Sequence, residues 1–165
     1  GISGARILRD RMGDNALARF DRDVLSHPHA DTVVLMMGIN DIGWPDSVLV
    51  PEGEPAPSAE DIIAGYRQLI ERAHARGFKI IGATLTPFEN TFAGGPLEGY
   101  YNPAKEEKRQ AVTDSRSIRT SALAAKVTVF TTIAGAQAAC MGLHHLAGLE
   151  VYSVQALHAE LNQAA

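Results

Sequence analysis

A chain of 165 residues, 45% hydrophobic and 21% charged, has the size and composition of one globular domain. A net charge of −4 leaves no basic footprint for nucleic acid, and the longest apolar run, 33–37, is far too short to span a bilayer. The single cysteine, Cys140, excludes an internal disulfide and reads as a small buried hydrophobe.

The chain opens on Gly-Ile-Ser-Gly-Ala-Arg-Ile-Leu, a glycine-bracketed turn. Ile7, Leu8 and Met12 then predict a short helical segment. Gly13-Asp14-Asn15 supplies an N-cap, and Leu17, Phe20, Val24 and Leu25 recur at helical spacing, so a helix is expected over 15–26, closed by Pro28. The β-branched and apolar run 32–37 predicts a strand covered on both faces, ending in Gly38-Ile39-Asn40-Asp41. Residues 43–57 read as a loop. Ser58 with Asp61 starts a second helix whose stripe is Ile62, Ile63, Tyr66, Leu69, Ile70 and Ala73, and Gly77 ends it. A second strand over 78–85, a long loop over 88–103, a charged helix over 104–120 and a third strand over 126–133 complete the pattern. Strand, helix, strand is a βαβ unit, and the whole predicts an open, mostly parallel α/β sheet. Beyond Ala122 the tail is alanine-rich, with neither Pro nor Asp.

Open α/β sheets bind ligands beyond the carboxyl ends of their strands, and Asn40 sits at such an end. Gly38 permits a sharp turn, after which the Asn40 amide can face the cleft as a neutral donor. Gly4 offers a backbone N–H with no side chain in the way. Two such donors meeting at one point make an oxyanion hole, each worth about 3 kcal/mol in acyl transfer. Ser3 is the hydroxyl nearest that point, either a substitute nucleophile or an ordinary turn residue. Tyr100 and Tyr101, with Phe88 and Phe92, either line an acyl or sugar pocket or pack their loop onto the domain. His27-Pro28-His29-Ala30-Asp31 fits a metal-ligand spacing, but a helix-terminal loop accounts for it and no metal is assigned. His74 reads as a solvated helix residue, His144 and His145 as a solvated or half-buried pair, and His158 has no placed partner.

Met-Met-Gly-Ile-Asn-Asp-Ile-Gly resembles the third block (Gly-x-Asn-Asp) of the SGNH, or GDSL-type, hydrolases, and the opening octapeptide resembles their second. The likeness continues through the helix and strand of 58–89 and into 106–121. It implies a flavodoxin-like three-layer α/β/α esterase or lipase, with Gly4 and Asn40 as oxyanion donors and Gly38, Asp41, Tyr100 and Tyr101 at the substrate. It implies a small ester substrate, an acyl ester or acetylated carbohydrate, and no cofactor. Relatives are often secreted, although no signal peptide is visible here.

The departures from the family pattern are equally definite. The family's nucleophile lies in a Gly-Asp-Ser block upstream of the second block, and its histidine in a late Asp-x-x-His; neither occurs in this sequence. Losing nucleophile or base costs a serine hydrolase around 10⁶ in kcat. The sheet is therefore expected to lack N-terminal strand material. The strand at 32–37 then becomes an exposed edge that invites pairing with a second copy, and a non-catalytic binding or self-associating module is the alternative function. Within a single domain, 1–121 is family-like and 122–165 atypical. Permitted codons for 127–133, read in a shifted frame, spell Asp-Gly-Val-Tyr-Asp-Tyr, a family-like strand, so the tail is expected to be a frameshifted read-through.

Overall fold

Asn15 starts the first helix as the sequence predicts. Its side chain accepts from the Ala18 N–H at 2.9 Å, capping α1 (Ala16–Phe20), which continues as one π-helical stretch, Asp21–Leu25. The computed structural model describes residues 2–88, 91–114 and 128–130, together with residues 134, 135, 138, 141 and 142. The chain divides into two units, Gly1–Thr132 and Ile133–Ala165, and the strands and helices of the sheet belong to the first. Cys140, His144, His145 and His158, and the predicted helix beyond Asp114, lie outside the described residues.

After α1 come β1 (Thr32–Leu35), α2 (Ile39–Gly43), α3 (Ala59–Ala75), β2 (Lys79–Ala83), a 3₁₀ turn (Glu98–Tyr100), α4 (Pro103–Asp114) and β3 (Thr128–Phe130). Ser58 and Asp61 form a complete capping box at the start of α3. At its end Gly77, at φ +78°, donates to the His74 carbonyl at 2.9 Å, and Phe78 donates to Ala73 at 3.0 Å. That is a Schellman close, which only a left-handed residue permits cheaply. α4 begins with Pro103 in its first turn, capped by the Asn102 side chain on the Lys105 N–H at 3.0 Å.

The three strands are parallel in the order β1-β2-β3, so the chain has an α/β fold. Val33 and Leu35 of β1 register with Ile80 and Gly82 of β2, and this row faces the core that Phe20, Ile62, Leu69, Ala73 and Val112 build. The alternate row is different: Val34 and Met36 are 52% and 53% exposed. This corrects the expectation of a strand buried on both faces. A continuous apolar run does not reveal how many faces are covered, and among the described residues helices pack against one. β1 is also an edge strand among the described residues.

The predicted helix over Ile7, Leu8 and Met12 is absent. That segment runs irregularly, because its backbone groups find partners elsewhere. The Arg6 and Ile7 carbonyls accept from the first N–H groups of α1, at 2.9 Å and 3.3 Å, and two of its N–H groups are taken by Asp41.

Candidate active site: two blocks clasped together

Residues 2–5 form a β-turn closed by the Ala5 N–H on the Ile2 carbonyl at 3.2 Å. Gly4 holds its third position at φ +75°, the conformation a type II turn demands there. The Gly4 N–H has no hydrogen-bond partner among the described residues. Its space is closed as well as its conformation strained for any other residue: a Cβ here would lie 2.9 Å from both Met12 Cγ and Trp44 Cζ2.

The block at the end of β1 reaches across to this turn. Gly38, at φ +105°, reverses the chain, and α2 then carries Asn40 and Asp41. Asn40 donates from Nδ2 to the Ala5 carbonyl at 2.8 Å. The two motifs that sequence alone suggested as partners therefore meet, with Asn40 one residue from Gly4.

Three assignments change. Asp41 does not face a substrate: it is 1% exposed, and its carboxylate accepts from Ile7 N–H at 2.8 Å and Leu8 N–H at 3.0 Å. Burial pushes its pKa up, with those two hydrogen bonds opposing. Asp41 is the clasp that fixes the opening segment. Gly38 is likewise buried, under Tyr66, whose hydroxyl donates to the Met37 carbonyl; its contribution is backbone geometry. Tyr100 is 6% exposed beside Trp44 and Val50, and its hydroxyl donates to Asn40 Oδ1, so it lies beneath the site rather than lining it.

Tyr101 is half-buried and packs against both apolar clusters. It meets Tyr100 edge-on at 4.4 Å, stacks on Phe92 at 5.4 Å and contacts Phe88 at 4.8 Å, and Phe92 is exposed. Ser3 is exposed, with no histidine or carboxylate bonded to it among the described residues. His27 and His29 are both exposed. An open cleft of about 470 Å³, walled by Leu8, Arg9, Pro57 and Gln68, includes neither Gly4 nor Asn40.

Sequence reasoning missed three buried cations. Lys105 Nζ donates to the carbonyls of Gly43 at 2.8 Å, Gly99 at 2.6 Å and Pro45, and burial pulls its pKa down. Arg109 donates to Leu85 O at 3.0 Å and pairs with Glu106, which in turn accepts from Phe88 N–H at 3.2 Å, securing the chain beyond β2. Arg6 pairs with Glu54, donates to Asp10 O at 2.6 Å and lies 5.5 Å above the Trp44 ring. The signal for two of them was available: Lys105, Arg109 and Val112 share the buried face of α4 at spacings of four and three.

An open parallel sheet with a glycine-led asparagine at a strand end, clasped to a glycine turn, is the framework of an α/β hydrolase of the SGNH kind. The family model described as the GDSL-like lipase/acylhydrolase family matches residues 1–158, and the chain belongs to that family. A second likeness is local. Over 56 residues, 34% of the chain, it is 62% identical to the carbamoyl phosphate synthase large chain of Ralstonia nicotianae, covering 5% of that protein. Over 57 residues it is 47% identical to the corresponding protein of Halomonas eurihalina, again 5% of its length. The chain thus spans about a twentieth of the curated relatives it matches.

Proposed function

We propose that this chain carries the oxyanion-binding part of a carboxylic-ester hydrolase acting on acyl or acetyl esters, with Gly4 N–H and Asn40 Nδ2 as the donors. The observation that supports it is the 2.8 Å bond from Asn40 to the carbonyl of Ala5, the residue after Gly4, whose own N–H has no partner among the described residues. The second Nδ2 hydrogen remains for a ligand. As an ester carbonyl becomes tetrahedral, its oxygen gains charge, and preorganised neutral donors then bind it more tightly than the ground state. Tyr101 and Phe92 offer an aromatic shelf for the acyl or sugar portion.

Dimethylarsinate, a tetrahedral oxyanion, is the direct probe. Asn40→Ala should weaken its binding at least tenfold, and slow any p-nitrophenyl acetate turnover by about 10²-fold. Unchanged binding and turnover in Asn40→Ala would overturn the reading. Ser3 is the hydroxyl adjacent to these donors. Fluorophosphonate labelling that maps to Ser3 and vanishes in Ser3→Ala would assign it the attack. No label and no turnover favour a non-catalytic role.

One observation favours the alternative of a self-associating module: β1 is an edge strand among the described residues, with Val34 and Met36 exposed. Pairing with a second copy along β1 predicts a dimer in sedimentation that Val34→Lys converts to monomer. The synthase likeness carries no synthase reading, since it covers 5% of that protein. The expected frameshift of the tail is tested by the coding DNA: a shifted frame restoring Asp-x-x-His supports it, and the absence of one overturns it.

A further inference from the structure

We propose that Tyr100 is the positioning residue of this site, its hydroxyl holding Asn40 Oδ1 so that Nδ2 is presented beside the opening turn. The inference rests on reading Asn40 as an oxyanion donor. It starts from the two neighbours of the Asn40 amide. The Ala5 carbonyl can only accept, so the group facing it is Nδ2. Oδ1 then faces the Tyr100 hydroxyl, which donates to it. A flipped amide would set Oδ1 against the Ala5 carbonyl oxygen. The tyrosine thereby closes the second side of a clamp, and by drawing density onto Oδ1 it makes the N–H bonds better donors.

The rest of the corner is arranged to keep this hydroxyl in place. Gly43 ends α2, and a Cβ there would lie 2.6 Å from Tyr100 Cζ, so the ring occupies the space that any side chain at 43 would need. Lys105 joins the two segments concerned, bonding Gly43 on one side and Gly99, the neighbour of Tyr100, on the other. Burial pushes the Tyr100 pKa well up, with smaller opposing contributions, so the hydroxyl stays a proton donor through the neutral and mildly alkaline range.

Tyr100→Phe keeps the ring and removes only the hydroxyl. The expected result is a three- to tenfold loss of dimethylarsinate affinity and a shift of the Asn40 side-chain amide signals in ¹⁵N spectra, with the melting transition nearly unchanged. In the unmodified chain, a slowly exchanging Tyr100 hydroxyl proton should show a cross-peak to the Asn40 side chain. Loss of stability with unmoved Asn40 signals would reduce Tyr100 to packing and overturn the proposal, as would absence of the cross-peak. Asn40→Ala separates the two levels. If it leaves affinity intact, the oxyanion reading fails; if it weakens affinity while Tyr100→Phe does not, the positioning role alone fails.

Discussion

The two sides of the opening segment are held together by different physics. Toward α1, α3 and the sheet the contacts are apolar, with Phe20, Leu35, Ile62, Leu69 and Ile80 in one buried cluster. Toward α2 and α4 the buried groups include, beside the apolar Ile42 and Val112, the charged Arg6, Asp41, Lys105 and Arg109, and most partners of these four are backbone atoms. Helices and strands pair their own N–H and C=O groups, which leaves their side chains free to be apolar. The irregular stretches around 5–10, 43–50, 85–88 and 91–97 have no ladder, so a buried carbonyl or amide there needs a side chain as partner. Global stability should therefore belong to the first side and the geometry of the asparagine to the second.

The largest effect is expected from Leu69→Ala, at a fully buried position, which should cost about 4 kcal/mol in urea unfolding. Below its transition the Asn40 amide signals should stay where they are; if they move, the two sides are not separable. Lys105→Met should cost about 3 kcal/mol, from three carbonyls losing a charged donor. Here the Asn40 and Tyr100 signals should shift, and hydrogen exchange should rise around 43–45 and 99. A third change probes pH. The Arg109 hydrogen bond holds the Glu106 carboxyl below its ordinary range, so the folded pKa lies under the unfolded one. Its contribution is then complete above the ordinary glutamate pKa and disappears as pH falls through the lower, folded value. Glu106→Gln should cost about 1.5 kcal/mol at pH 7, and the gap to the parent should close as pH falls below the ordinary glutamate range. A gap that persists at low pH would mean that the carboxylate charge is not what holds the chain after β2.

The apolar side was the more legible in sequence. The stripe of α3, its capping box, its glycine close and the parallel pairing of β1 with β2 all follow from periodicity and from residues with strong local preferences. The convergence of the opening turn with Asn40 was legible because both blocks have a distinctive composition. The role of Asp41 was not, since its partners are the amides of Ile7 and Leu8, and a backbone amide has no signature in sequence. For the same reason the segment around Ile7 was misread as helical: spacing registers side chains, whereas here the backbone partners decide. Tyr100 was visible as an aromatic near the site. Its burial depended on Gly43, 57 positions earlier, leaving room for a ring.

The uneven cover of β1 provides a chemical gauge of its surroundings. Met36 lies on the exposed row, whereas its neighbour Met37 packs against the core, so the adjacent thioethers differ in access to solvent oxidants. Under dilute peroxide the first should become the sulfoxide well before the second. Any partner that later covers this face should slow oxidation at 36 and leave 37 as it was, so one tryptic peptide carries both the probe and its reference.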